Sequence, residues 1–260
     1  MRHSIYVYKE FIKRDFKRIW LYKWDVLFGN LGFLIDSLST LFIIFVLTNF
    51  KNGIGGWSSQ EVILMYLFMH MALSIWETFF VTTMDIPELI QDGTLDVLLM
   101  RPINLLLQVI MVEIDEEAMV EAVIYTVSFF ALLIHVQGLN LLVVLLASVL
   151  LLTTLALIEG IYLCFSSLAF WIKQVDGVTS IYWQLIQLAD YPMSIYPKTI
   201  QIVLSIIPVG FMAYYPVSLL LHKIQHPAVM VMTILSGPLF FLLVYHTVWK
   251  KGLQNYTSFS

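Results

Sequence analysis

Three ionisable residues stand where a charge would have to be buried in a membrane. His70 and Glu77 lie seven residues apart in one apolar run, and Glu159 lies in another. Burying a charged side chain in a bilayer costs about 2.5–3.5 kcal/mol even on lenient scales, so each is a functional candidate by placement alone. Facing a central cavity, Glu77 and Glu159 would recognise a cationic substrate. Facing neighbouring helices, a protonated carboxyl would instead exchange hydrogen bonds with them. Together with His70 they could also serve as acid–base groups of a membrane enzyme acting on lipid, or belong to an ion-coupled secondary transporter. Asp36 is a fourth intramembrane candidate, whereas His135 and His246 sit nearer the ends of their runs and read as interfacial.

Other chemistries find no local support. The chain has no H-E-x-x-H, no G-x-S-x-G and one cysteine, Cys164, so neither a metal site nor a nucleophilic enzyme is indicated. The phosphate cradle G-x-x-x-x-G-K-[ST] is also absent, so ATP hydrolysis by that route would need another chain.

A second constellation is the segment from Pro87 to Pro102, charged and Gly-interrupted between long apolar runs. Pro87 suits the first turn of a helix, and Glu88 is favourable near a positive helix N-terminus. Gly93 breaks the run, a second short helix carries Leu95 to Met100, and Pro102 ends it because the residue before proline is pushed out of α geometry. Two short helices joined at a glycine make a compact knob able to dock in a partner's groove, the alternative being a solvated loop. The acidic run Glu113 to Glu121 follows. It reads either as the wet N-terminus of a helix, which favours acids, or as a contact for basic residues on a partner.

The elements that position these residues are set by composition. The 260 residues are 60% hydrophobic and 12% charged, with a mean hydropathy of +0.85. Soluble domains run at about 45–50% apolar and about 25% charged, so this is an integral membrane protein. Its apolar runs are long enough for helical crossings and lack the alternation of barrel strands. Spans are expected over about 26–48, 62–84, 118–136, 141–169, 175–193 and 228–249, in a single transmembrane domain. Residues 199–221 are apolar but broken by Pro208-Val209-Gly210, which predicts a re-entrant hairpin within an outer region 196–222, or one kinked span.

Seven of the fourteen basic residues precede the first span. Ile5, Tyr8, Ile12, Phe16, Ile19 and Trp20 share one helical face and Lys13, Arg14, Lys17 and Arg18 another, which predicts an amphipathic interfacial helix over 1–25 against anionic lipid. The first apolar run starts too late and is too long for a cleavable signal. Six spans plus the hairpin put eleven basic residues and both termini on the cytoplasmic side, along with the 85–117 region, in a multi-pass protein of the cell membrane.

On these residues the chain resembles the type 2 ABC transporter permeases, the membrane subunits of ABC exporters. Gly93-x-Leu95-x-x-x-Leu99-x-x-Pro102 between the second and third spans resembles their signature. The order of basic interfacial helix, cytoplasmic element and broken outer helices matches over essentially the whole chain. The ending Trp249-x-x-Gly252-Leu253-x-x-Tyr256 is similar to the tail of a subgroup. The resemblance implies a permease subunit for ATP-driven export, itself not an enzyme and binding no cofactor. Its partners would be ABC ATPase subunits carrying ATP and Mg, a second identical or related permease, and membrane lipid, but not nucleic acid. It further implies a coupling helix contacting the ATPase through Pro87, Glu88, Leu89, Asp92, Gly93, Leu95, Leu99 and Pro102, and an outer gate at Pro208 and Gly210.

Overall fold

A computed structural model of the chain describes residues 23–50, 53–172 and 186–256, together with Lys17, Leu21 and Gln184. The expected interfacial helix over 1–25 and most of the expected span over 175–193 lie outside the described residues. Where described, the chain is all-helical, with an isolated bridge between Ile54 and Trp57 in place of any sheet. It is a multi-pass membrane protein.

The first helix, α1 (Lys23–Phe50), leads through the Gly53–Trp57 turn into α2 (Ser59–Phe80). Glu61 fixes the start of α2 by accepting from the Ser58 backbone N–H at 2.7 Å, satisfying a donor that no helical carbonyl reaches. A 3₁₀ stretch, Val81–Asp85, then feeds three short helices: α3 (Ile86–Gln91), α4 (Thr94–Leu99) and α5 (Leu105–Ile110). Helix α6 (Glu116–Gln137) is capped by Asp115, whose Oδ1 accepts from the N–H groups of Glu117 and Ala118 at 3.0 Å each. The acidic run therefore begins as a helix cap, with Glu116 and Glu117 in the first turn. Gly138 (φ +75°) turns the chain, and Asn140 caps α7 (Leu141–Ser167). Beyond the undescribed segment come the 3₁₀ turn Leu188–Asp190, α8 (Lys198–Ile206), the 3₁₀ turn Pro208–Phe211 and α9 (Tyr214–Leu220). The last span is α10 (Pro227–Val244), continued through a π-turn, Tyr245–Trp249, into α11 (Lys250–Asn255).

Among the described residues, five helical runs are long and apolar enough to cross a membrane: Phe28–Asn49, Ser59–Gln91, Glu116–Gln137, Leu141–Phe170 and Pro227–Asn255. They coincide with the first four and the last of the expected spans. The pair Lys198–Ile206 and Pro208–Leu220, bent by 74°, gives a sixth if it is read as one span. Pro208 explains the break, since it lacks an N–H and restricts Ile207 to extended geometry (ψ 105°).

The run containing α2 is the hub. It buries 72% of its apolar window, against 17–33% for the other four. It also has 33 residues, about 50 Å of helix, against roughly 30 Å of hydrocarbon. The run is therefore longer than a single crossing needs. Two cores follow from this layout. The larger surrounds α2 with α1, α6, α7, α8 and α9. The smaller gathers α3, α4 and α5 against the ends of α7 and α10.

Candidate functional site

The C-terminal end of the α2 run leads into a knob of short helices. Gly93 (φ +71°) separates α3 from α4, a left-handed conformation that side chains resist. The break falls where the sequence places it, and α4 ends just before Met100-Arg101-Pro102. Inside the knob Ile86, Ile90 and Leu95 are fully buried with Leu163, Val244 and Trp249. Leu95 thus faces the chain's own core, Leu89 is half-buried against it, and Val97, Leu99 and Met100 point out, Met100 being 79% exposed. Asp92, Glu88, Arg101 and Pro102 are exposed as well, and Pro87 is half-buried in the first turn of α3.

Polar ties fix the knob's internal geometry. Gln108 of α5 donates to the carbonyls of Leu98 (3.0 Å) and Ile103 (2.8 Å). Asn104 caps α5 and donates to the Tyr245 hydroxyl at 3.1 Å, at the π-turn of the last span. That π-turn adds a residue to the helical turn, which lets Val244 and Trp249, five positions apart, both enter the small core. The tail closes over it. A Cβ at Gly252 would stand 2.9 Å from Cγ of Phe170, and Phe170 meets Trp249 and Tyr256 edge-on at 5.6 and 5.9 Å. Partial burial and the neighbouring Asp96 push the Tyr256 phenol above its ordinary pKa. The terminal Trp-x-x-Gly-Leu-x-x-Tyr pattern therefore clasps the knob to the ends of α7 and α10.

The three intramembrane candidates occupy separate places. Glu159 is buried and fully engaged: Trp76 Nε1 donates to it at 2.8 Å and Thr83 Oγ1 at 3.2 Å. His70 Nε2 lies 3.2 Å from Oδ1 of Asp190, and its ring packs 4.1 Å from Tyr66. Tyr66 and Tyr125 approach hydroxyl to hydroxyl at 3.4 Å, and Ser37 of α1 bonds to Tyr125 at 2.8 Å. Glu77, two turns along α2 from His70, lies within electrostatic reach of Glu121 and Asp115 on the α6 side. About 10 Å of helix rise separates His70 from Glu77, and the two side chains engage different neighbours. Asp36 is exposed on α1.

At the opposite end, Lys223 pairs with Glu61 at 2.9 Å, donates to the Gly56 carbonyl at 3.1 Å and lies over the Trp57 ring. Gly210, buried, lets Tyr215 and Met193 close in: a Cβ there would meet Tyr215 Cε2 at 3.1 Å. Pro208 and Gly210 thus sit in the bend that packs against the Met193–Ile195 turn.

Sequence reasoning passed over Thr83, Gln108, Asn104 and Asp190. Asn104 carries the local signal of a helix N-cap, but its tie to Tyr245, like the partners of Thr83 and Asp190 and the reach of Gln108 to Leu98, lies in another element and has no local pattern. A family model described as ABC-2 family transporter protein matches residues 34–260. No curated protein and no solved structure matches the chain. The match begins within the first described span and takes in the others, the knob and the tail, and the chain belongs to the ABC-2 transporter family.

Proposed function

We propose that this chain is the membrane-spanning subunit of an ATP-driven exporter and couples to a separate ATPase through the knob over Pro87–Pro102. The observation that carries the reading is the knob's construction. Its inner residues are built into the ends of α7 and α10, while Val97, Leu99, Met100 and Arg101 present an unburied face. A push on that face would reach two spans directly. ATP and Mg would reside on the ATPase, a second permease, identical or related, would complete the pathway, and the knob and both termini would be cytoplasmic. The bend at Pro208–Gly210 would then be re-entrant and shape an outer gate, held by Lys223, Glu61 and Trp57.

The lipid-enzyme reading draws no support from the geometry, since Glu159, His70 and Glu77 engage different partners. The test is association. Val97, Leu99 and Met100 replaced together by Asp should abolish recovery of ATPase with this chain while its melting temperature holds. Undiminished recovery would remove the knob's assigned role.

A further inference from the structure

Glu159 fills a sealed polar site where α2, the Val81–Asp85 stretch and α7 meet. The residue is 5% exposed, and its two donors, Trp76 and Thr83, are fully buried. Tyr162, one turn on, stacks on the Trp76 ring at 3.8 Å and 7°. Leu163, four residues on, enters the knob's core. The adjoining Thr82 donates to the Val109 carbonyl of α5 at 2.9 Å. Two successive threonines of one 3₁₀ stretch therefore hold different bodies, Thr83 the span α7 and Thr82 the knob. Such stretches have poorer hydrogen-bond geometry than α-helix and often act as hinges. This one is fastened at the point where it would bend, by a buried carboxyl group that accepts from Trp76 and Thr83.

We propose that Glu159 is a positioning residue that pins the 3₁₀ stretch to α2 and α7, so that a displaced knob carries α7 and α10 with it instead of flexing at Val81–Asp85. The inference rests on the ATP-driven reading above. Helix α10 follows α7 because Gly237 brings the two backbones together, a Cβ there standing 2.8 Å from the Thr153 carbonyl carbon. Glu159 then acts on transport through geometry and not by touching cargo.

The experiment uses the complex isolated through a tag on this chain, containing its ATPase, in a Cys164→Ser background. Spin labels at Leu107 and Val127 report knob against α6, and labels at Leu239 and Val127 report α10 against α6; all three positions are exposed. In the unaltered protein both distances shift on adding ATP, Mg and vanadate. Thr83→Val keeps the shape and removes a donor, and Glu159→Gln keeps the size and turns one acceptor oxygen into a donor. In both, the Leu107–Val127 shift persists while the Leu239–Val127 shift falls below half. Thr83→Ser, which keeps the hydroxyl, retains the full shift. A full Leu239–Val127 shift in Thr83→Val overturns the proposal, including when that variant melts earlier, because the role is then structural only. If neither distance responds to ATP in the unaltered complex, the transporter reading fails and takes this inference with it.

Discussion

Gly237→Ala tests whether α7 and α10 move as one body. The added Cβ would overlap the Thr153 carbonyl oxygen and lie 2.8 Å from its carbon and 3.2 Å from the Leu157 nitrogen, all backbone atoms that no rotamer change can clear. Carbon atoms rest at about 3.5–4.0 Å, so clearing the carbonyl carbon alone parts the helices by about 1 Å, and clearing its oxygen takes more. A gap of that size forfeits a quarter to a half of the dispersion energy of each atom pair along the seam. Overpacking typically costs 1–3 kcal/mol, and a backbone neighbour puts this case at about 3 kcal/mol. At about 2–4 °C per kcal/mol for a chain of this size, the melting temperature should fall by roughly 6–12 °C. The control is Gly32→Ala in α1, where an added Cβ meets nothing within 4 Å. There alanine removes helix-opposing entropy and should leave stability unchanged or raise it by up to about 1 kcal/mol. The assay is thermal unfolding of both variants in one detergent. Equal melting temperatures for Gly237→Ala and Gly32→Ala would refute the close approach of α7 and α10.

Leu95→Asp, by placing a charge in the knob's core, should cost about 3 kcal/mol or more and impair folding, whereas Met100→Asp should leave melting unchanged; circular dichroism melts of the pair distinguish inward from outward faces. Gly93→Ala must adopt φ near +71°, a strain of about 1–2 kcal/mol, and should raise protease cleavage between α3 and α4, with Gly93→Asn intermediate. Lys223→Met removes a partly exposed ion pair and should shift the melting temperature by less than about 3 °C, since such pairs contribute about 0–1 kcal/mol. A larger shift, measured at low and high salt, would mean the outer end is held more firmly than its geometry indicates.

Much of the fold is legible in the sequence because membranes simplify the code. Runs of about twenty apolar residues must be helices there, and Pro87, Gly93, Pro102, Gly138 and Pro208 punctuate the chain where backbone geometry requires it. The cap at Asp115 follows from the preference of helix N-termini for acids, which resolves the start of the acidic run. What the sequence hides is partnership across distance. Glu159 pairs with Trp76, 83 positions away, and nothing local in either residue signals it. The inward turn of Leu95 is equally hidden, because a six-residue helix carries too few positions for a face to declare itself. The π-turn at Tyr245–Trp249 shifts the helical register by one residue, so a regular 3.6-residue period sets Val244 and Trp249 on different faces. His70 meets Asp190 through tertiary packing of α2 against the Leu188–Asp190 turn, again without a local pattern.

As proposed above, this chain takes force from a separate ATPase through its knob. The direct measurement is vanadate-sensitive ATP hydrolysis by the membrane complex isolated through a tag on this chain, beside the chain stripped of partners. Hydrolysis is expected in the complex, none in the stripped chain, and loss of the bound activity when Val97, Leu99 and Met100 become Asp. A chain that isolates without any ATPase, or a triple variant that retains the full bound hydrolysis, would contradict it.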